Sequence, residues 1–215
     1  LVQLTDLDLS NNAVQDLQPL SGLVDLDTVR LAHNQIADVA PLAALPRLST
    51  VSLSNNQITD IAPLAAMSEL VNLQLSNNQI ADLAPLMELD HLLDLDIDNN
   101  PAEDTQRLAL TQLLSLRQLQ RRHTCPGCDL SNLDLSGADL IGAYLAEANL
   151  SGSNLQAADL VGANLENANL SNVNLAGADL SAAILTGADL TQTPLETVNL
   201  CDTLLPDGRV GACAP

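Results

Sequence analysis

The chain has 215 residues and a formal net charge of −20, and it contains one Tyr but no Phe, Trp or Lys. We expect no direct binding to nucleic acid, because contacts to phosphates need a field of Lys and Arg side chains. A globular core usually fills its irregular space with aromatic rings, so their near absence predicts a core of similar small layers, as in a solenoid.

The charge is unevenly distributed along the chain. Residues 1–101 carry 14 acids and 2 Arg, residues 102–124 carry 2 acids and 4 Arg, and residues 125–215 carry 11 acids and 1 Arg. Two acidic modules therefore flank a short basic connector. The acid excess fits the solubility of a surface-rich solenoid, or a surface that imitates the charge of DNA. No run approaches the roughly 18 apolar residues of a membrane span.

The first module repeats every 22 residues. The copies are "LVQLTDLDLSNNAVQDLQPLSG" at Leu1, "LVDLDTVRLAHNQIADVAPLAA" at Leu23, "LPRLSTVSLSNNQITDIAPLAA" at Leu45, "MSELVNLQLSNNQIADLAPLME" at Met67 and a partial "LDHLLDLDIDNN" at Leu89. Their shared LxxLxLxxNxIxDΦxPL, where Φ is aliphatic, resembles the leucine-rich repeats of bacterial internalins over residues 1–100. The resemblance implies a solenoid that binds protein ligands on its concave sheet. Because Leu1 already lies inside a repeat, we expect further residues upstream.

Each column of this repeat has a physical reading. Alternating apolar residues point inward from a short parallel sheet. Stacked amides at the strand ends are expected to satisfy backbone groups of the next coil: Asn12, Asn34, Asn56, Asn78 and Asn100. Aspartates before the Φ-x-Pro-Leu turns are expected to cap those turns: Asp16, Asp38, Asp60 and Asp82.

The outward positions of the predicted strands are the first candidate binding surface. The same face is predicted to carry Ser54 and Ser76. The candidate binding residues on it are Asp6, Asp8, Arg30, Asn72, Gln74, Asp94, Asp96 and Asp98. This surface lacks the aromatic anchors that usually carry interface energy, which favours a basic, glycan-like or weak partner. The stretch "DLDIDNN" at 94–100 does not predict calcium, because Asn99 replaces the loop Gly and Thr105 replaces the final acid.

Residues 102–124 are expected to form a capping and linking helix from about Glu103 to Arg122. Its leucines fall mostly on one helical stripe: Leu108, Leu110, Leu113, Leu114, Leu116 and Leu119. Arg107 lies four residues after Glu103, a spacing that allows an ion pair. The helix is expected to close the open end of the first solenoid, since terminal repeats must hide their core.

The second module has a period of five. Residues 128–202 divide into 15 units such as "ADLIG", "AYLAE" and "ANLSG". This pattern is similar to the pentapeptide-repeat family, which implies a right-handed four-sided β-helix with four units per coil. Each unit makes one side, with its central Leu inside, and coils stack about 4.8 Å apart. The predicted fold class is therefore a mainly β solenoid: a leucine-rich repeat domain at 1–101, the helix at 102–124, and a quadrilateral β-helix with a C-terminal cap at 125–215.

Four units per coil sort the residues before each central Leu into four columns. One column is a carboxylate ladder of Asp139, Asp159 and Asp179, which repel one another unless they are screened or paired with a cation. The least polar outer corner is the second candidate binding surface: Ile141, Tyr144, Val161, Ile184 and Leu204. These residues are either scattered exposed hydrophobics or a docking or dimer seam, so we expect a monomer or a weak dimer through the β-helix.

The four cysteines are expected to form disulfides, Cys125 with Cys128 and Cys201 with Cys213, one pair at each end of the β-helix. "CPGC" has a redox spacing, but no thioredoxin-like βαβ pattern surrounds it. One zinc ion cannot join both pairs, because the ends of a four-coil helix are about 19 Å apart. Two disulfides indicate an oxidising compartment, so we expect a secreted, periplasmic or cell-surface protein, with a cytoplasmic location as the alternative.

No constellation of Ser, His, Asp or Cys with catalytic spacing can be assembled, and we expect neither catalysis, a cofactor nor a metal. The sequence predicts a non-enzymatic bacterial interaction or scaffold protein with a protein or glycan partner. The alternative is a regulator similar to the quinolone-resistance pentapeptide proteins, which mimic DNA and bind gyrase. A structural spacer without a ligand is the third interpretation.

Thiol counting tests the disulfide prediction. After alkylation under denaturing, non-reducing conditions, we expect no free thiol, because both pairs would be oxidised. Four alkylated cysteines would contradict the pairing and remove the argument for an oxidising compartment.

Overall fold

The computed structural model describes residues 3–213; residues 1, 2, 214 and 215, at the outer ends of the two predicted modules, lie outside the described residues. The chain divides into two compact units between Leu110 and Thr111. Each unit is a solenoid of stacked coils, and each is described separately below.

The first unit is built on a five-stranded parallel sheet in the order β1-β2-β3-β4-β5. The strands are β1 (Asp6–Asp8), β2 (Thr28–Arg30), β3 (Thr50–Ser52), β4 (Asn72–Gln74) and β5 (Asp94–Asp96). Their register advances by one repeat at each step, so that Leu7 lies beside Val29 and Val29 beside Val51. The return segments are the 3-10 helices Gln18–Leu20, Ala40–Ala44 and Ala62–Ala66 and the short helix α1 (Ala84–Met87).

The strands are short because the residue pattern changes after three positions. A residue in the left-handed conformation follows each strand, with φ between 55° and 59° at Asn11, His33, Asn55, Asn77 and Asn99. Four of these five are asparagines, which tolerate positive φ better than most residues. The residue directly after each of these turn residues is again an asparagine: Asn12, Asn34, Asn56, Asn78 and Asn100.

The buried asparagine ladder holds successive coils together. Asn34 accepts the Val14 N–H through Oδ1 at 2.9 Å, and its Nδ2 donates to the carbonyl oxygens of Leu9 and Leu31, both at 3.0 Å. Asn56, Asn78 and Asn100 repeat this geometry one coil later each time. The prediction that these amides satisfy the next coil was wrong in direction, because these four asparagines bond to the coil that precedes each of them. Asn12, the first of the predicted set, donates to Leu9 and Ser10 of its own coil.

The predicted aspartate caps are present. Oδ1 of Asp16 accepts the Gln18 N–H at 2.8 Å, and Asp38, Asp60 and Asp82 cap their own turns in the same way. A Pro occupies one of the first two positions of each following helical turn, where its missing N–H costs nothing. The carboxylate therefore accepts a hydrogen bond from a backbone N–H that has no partner within the short helical turn.

The predicted helix is α2 (Asp104–Arg122), which begins in the first unit and ends in the second. In the first unit, Gln106 accepts the Leu83 N–H at 3.1 Å and Leu110 is buried. In the second, Leu119 joins the buried core and Leu116 packs against it. The leucine stripe is incomplete, however, since Leu108 is 49% exposed.

Arg107 does not form the hydrogen-bonded pair with Glu103 that the spacing suggested. Its guanidinium donates to the carbonyl oxygens of Ile97 and Ala102, both at 3.2 Å, and to that of Asn100. In the earlier repeats, the carbonyl equivalent to Ile97 receives Nδ2 of the next asparagine in the ladder. Arg107 therefore replaces the amide that a sixth repeat would supply.

The second unit is a four-sided β-helix in which the residue before a central Leu pairs with the residue 20 positions later, except at Asn174 and Pro194. Parallel bridges join Asp129 to Asn149, Asp134 to Asn154, Asp139 to Asp159 and Tyr144 to Asn164, and continue up all four columns. The four predicted columns are thus present. The column through Tyr144 begins one unit earlier than predicted, at Thr124.

Central leucines and small residues fill the β-helix core. Leu150, Leu155, Leu160 and Leu165 are completely buried, and each buried Leu contributes about 1.5–3 kcal/mol relative to an exposed one. The corners carry residues with positive φ, so that four short sides close into a coil. The bridge from Asn174 to Pro194 is missing, because Pro has no N–H to donate.

The C-terminal segment folds back over the last coil. The Gly208 N–H donates to the Leu205 carbonyl at 2.9 Å, which closes a turn through Pro206 and Asp207, and Leu204 pairs antiparallel with Val210. A Cβ on Gly211 would lie 2.0 Å from the Leu200 carbonyl oxygen. Only glycine therefore fits where this segment returns to the coil.

Replacing Arg107 should destabilise the first unit. Arg107→Met keeps the apolar stem but leaves the carbonyls of Asn100 and Ala102 without their side-chain donor and that of Ile97 with Asn100 Nδ2 alone. We expect a loss of about 1–3 kcal/mol. Arg47→Met is the control, because Arg47 is 68% exposed in a 3.3 Å ion pair with Asp25 and such pairs contribute about 0–1 kcal/mol. Urea unfolding followed by circular dichroism measures both; equal effects would contradict the role of Arg107.

Replacing Ser153 should stabilise the second unit. Ser153 is 1% exposed, and its hydroxyl has no hydrogen-bond partner among the described residues. Ser153→Ala removes an unsatisfied polar group, so we expect a gain of about 1 kcal/mol. The matched control is Thr203→Val, which removes a buried hydroxyl that donates to the Leu180 carbonyl at 2.6 Å. Thermal unfolding should shift upward for the first variant and downward for the second.

Candidate interaction surfaces

The outward face of the five-stranded sheet brings the first predicted set together. Asp6 lies beside Thr28 across β1 and β2, and Asp94 lies beside Asn72 across β4 and β5. The second outward row runs through Asp8, Arg30, Ser52, Gln74 and Asp96. Asp98 follows β5 and is exposed. The eight predicted residues therefore share one surface with the polar residues of β3.

Hydrogen bonds cross this surface at several places. Arg30 Nη1 lies 2.9 Å from Asp6 Oδ1, and the Ser52 hydroxyl donates to Gln74 Oε1 at 2.8 Å. The backbone N–H of Ser10 lowers the pKa of Asp8 below its ordinary value, with a smaller effect from Arg30. One end of the sheet thus carries two acids and a cation, and the other carries three acids.

A buried pair of hydroxyls borders the same sheet. The Ser76 hydroxyl donates to the Ser54 hydroxyl at 3.0 Å, and the two residues are 8% and 9% exposed. The strand pattern placed both serines on the outward face with the binding candidates. Their burial removes the two hydroxyls from the accessible surface.

In the β-helix, the carboxylate ladder is tied into the turns. Asp139, Asp159 and Asp179 each accept, through Oδ1, the backbone N–H two residues ahead, at 3.3, 3.2 and 2.8 Å. Asn199 then donates to Asp179 Oδ2 at 3.0 Å. The hydrogen bonds from Ser181 and Asn199 hold the pKa of Asp179 below its ordinary value.

Asparagines fill the same structural role as these aspartates in the other columns. Asn149 and Asn154 accept the N–H two residues ahead, as the aspartates do, and their Nδ2 groups donate to Asp129 and Asp134 one coil earlier. Asn and Asp are therefore interchangeable caps for the turns of this helix. The two residue types differ in charge, because each aspartate places a negative charge on the surface and asparagine places none.

The second predicted set occupies two adjoining sides of the β-helix. Ile141, Tyr144 and Ile184 are 51%, 46% and 36% exposed, and Val161 and Leu204 are partly buried. Val210 belongs to the same surface, because it pairs with Leu204 and is 63% exposed. Sequence reasoning missed Val210, since the segment after Leu205 leaves the five-residue register.

The structure places the cysteines in the predicted pairs. The Cα atoms of Cys125 and Cys128 are 5.5 Å apart, those of Cys201 and Cys213 are 4.0 Å apart, and both pairs are disulfide-bonded. Within residues 3–213, Cys201, Asp202 and Cys213 are a close group of possible metal ligands. Bonded sulfurs are not thiolates, so this group does not fit a metal.

Family models match both halves of the chain. A model for leucine-rich repeats matches residues 2–44 and 25–66, and a model for pentapeptide repeats matches residues 128–167 and 163–200. No curated protein matches. Within the part of the chain that the structure describes, no helix is long and apolar enough to cross a membrane.

Solved structures resemble one or both halves. Internalin InlF of Listeria monocytogenes is 25% identical with a TM-score of 0.50; the match covers 94% of this chain and 54% of the internalin, so this chain spans about half of that protein. A leucine-rich repeat protein of Leptospira interrogans is 28% identical over 49% of this chain and 29% of its own, with a TM-score of 0.45. A pentapeptide repeat protein from Nostoc is 36% identical over 39% of this chain and 65% of its own, with a TM-score of 0.33.

Proposed function

Because this chain joins a leucine-rich repeat module to a pentapeptide-repeat module, we propose that it is a non-enzymatic interaction or scaffold protein. It binds its partners through the outward faces of its solenoids. Both repeat families are typically interaction modules, and repeat solenoids present extended surfaces for this purpose.

The outward rows of the sheet carry this proposal. Leucine, asparagine and aspartate recur in each repeat where they pack, join coils or cap turns. The outward pairs instead change from Asp-Asp to Thr-Arg, Thr-Ser, Asn-Gln and Asp-Asp between β1 and β5. Folding does not require this variation, so it is where a partner would be recognised.

The chemistry of the sheet favours a polar partner. Asp94, Asp96 and Asp98 lie together at one end, and the chain has one aromatic residue, Tyr144, which lies in the other unit. A partner that presents cations or many hydroxyls fits this surface better than one that presents aromatic anchors. The proposed partner class is therefore a basic protein surface or a glycan.

Export from a bacterial cell is the second part of the proposal. The two cysteine pairs are placed for disulfides at the two ends of the β-helix, and structural disulfides persist in oxidising compartments. A secreted, periplasmic or cell-surface location follows from this argument. The gyrase-binding alternative rests on the pentapeptide repeats together with the acidic charge, and a DNA-supercoiling assay with gyrase tests it.

Affinity capture with matched variants tests the sheet as the binding surface. The protein is immobilised and exposed to bacterial envelope fractions, host-cell surface fractions and a glycan array. The sheet variant carries Asp94→Asn, Asp96→Asn and Asp98→Asn. The control carries Asp38→Asn, Asp60→Asn and Asp82→Asn, which removes the same charge from the return turns while keeping an Oδ1 cap.

We expect at least one ligand that binds the wild type and the control equally well. It should bind the sheet variant about tenfold less tightly, because three carboxylate charges at one end of the sheet are lost. Quantitative mass spectrometry and array signals measure this ratio. Ligands that bind all three proteins equally would contradict recognition by the sheet.

A further inference from the structure

The β-helix carries an exposed apolar surface that its folding does not use. We call it the apolar strip and define it as Ile141, Tyr144, Val161, Ile184, Leu204 and Val210. Four of these side chains are between 36% and 63% exposed. In the equivalent positions of the other columns the chain has mostly Asp or Asn, which cap the following turn. Tyr144 and Ile184 therefore give up a capping bond and expose apolar area instead.

The strip is continuous across a corner of the coil. Ile141 and Val161 end one side and Tyr144 begins the next, with Gly142 and Gly162 at the corner between them. Because the corner residues have no large side chains, the two columns adjoin. From Tyr144 to Val210 the strip crosses four backbone spacings, or about 19 Å.

Carboxylates border the strip on both sides. Asp139, Asp159 and Asp179 form the neighbouring column on one side, and Glu147 and Glu166 are exposed on the other. Residues 125–215 contain a single Arg, Arg209, which lies 2.7 Å from Asp207. An apolar surface with acidic margins results.

The carboxylates beside the strip determine which kind of partner can bind there. Two copies of the chain joined through their strips would bring like charges together in a partly desolvated interface, which is unfavourable. A segment with an apolar face flanked by Lys or Arg would gain both apolar contact and opposite charge.

We propose that the apolar strip is a docking site for a basic amphipathic segment of a protein partner. About 13 helical residues would cover its length, at 1.5 Å per residue. This inference rests on the proposed interaction function and assigns a partner class to its second surface.

A designed peptide tests the inference directly. The probe is a 14-residue helical peptide of Leu and Lys without aromatic residues, and the control peptide has Glu in place of Lys. Because the chain contains one Tyr and no Trp, tyrosine emission reports on Tyr144 alone. We expect the Leu-Lys peptide to change this emission and to bind in calorimetry, and the Leu-Glu peptide to do neither.

Asparagine substitutions separate binding from folding, because Asn already occupies these columns elsewhere. The variant Tyr144→Asn/Ile184→Asn should lose peptide binding by about tenfold or more, since apolar contact is lost. Asp139→Asn/Asp159→Asn/Asp179→Asn should weaken binding about tenfold and reduce its salt dependence. Asp38→Asn/Asp60→Asn/Asp82→Asn removes the same charge from the return turns of the first unit and should change affinity by less than about twofold.

A gain-of-function variant completes the test. Asn164 interrupts the strip between Tyr144 and Ile184, so Asn164→Ile should tighten binding about threefold by adding apolar contact. Circular dichroism confirms that each variant is folded.

Three results would overturn the inference. Equal weakening by the two triple variants would show that the peptide is attracted nonspecifically by charge. A dimer that is abolished by Tyr144→Asn/Ile184→Asn would show that the strip binds a second copy of this chain. Each variant is also used in the affinity capture described above. Ligands that depend on Asp94, Asp96 and Asp98 while no peptide binds the strip would contradict this inference and leave the proposed function standing.

Discussion

The structure depends on satisfying the backbone polar groups where each coil turns. A coil of 20 or 22 residues has several turns, and a buried N–H or carbonyl without a partner costs a large part of what one buried leucine contributes. Both modules solve this problem with short side chains that carry a carbonyl or carboxylate oxygen. Asp38 in one unit and Asn154 in the other accept the N–H two residues ahead, so two unrelated repeat lengths share one local device.

The amide groups add a direction to the stack. Asn56 donates to the carbonyl of Leu31 in the coil before it, and Asn174 donates to Asn154 in the coil before it. Each coil therefore completes its predecessor. The Ile97 carbonyl in the final coil of the first unit has no asparagine from a following coil, and Arg107, outside the repeat pattern, donates to it instead.

Repetition explains what could be read from the sequence. The 22-residue and five-residue periods predicted the sheet register, the four columns of the β-helix and the aspartate caps. The cysteine pairs were predicted from their places at the two ends of the β-helix. Arg107 could not be predicted in its role, because its spacing from Glu103 suggested a surface pair and the periodic pattern does not say which carbonyl is left over. Val210 was missed for a related reason: it reaches the apolar surface by a reverse turn rather than by the five-residue register. Ser54 and Ser76 alternate as outward residues do, but both are buried and are hydrogen-bonded to each other.

The directional stack also constrains how such a protein can change in length. If a 22-residue unit were duplicated between β2 and β4, the asparagine of the following coil would donate to its carbonyl, as Asn78 donates to the Leu53 carbonyl. A unit added after Asn100 would instead separate Arg107 from Ile97. The interior of the first module can therefore gain or lose whole repeats. Its last repeat and α2 have to be kept together, because Arg107 of α2 bonds to that repeat.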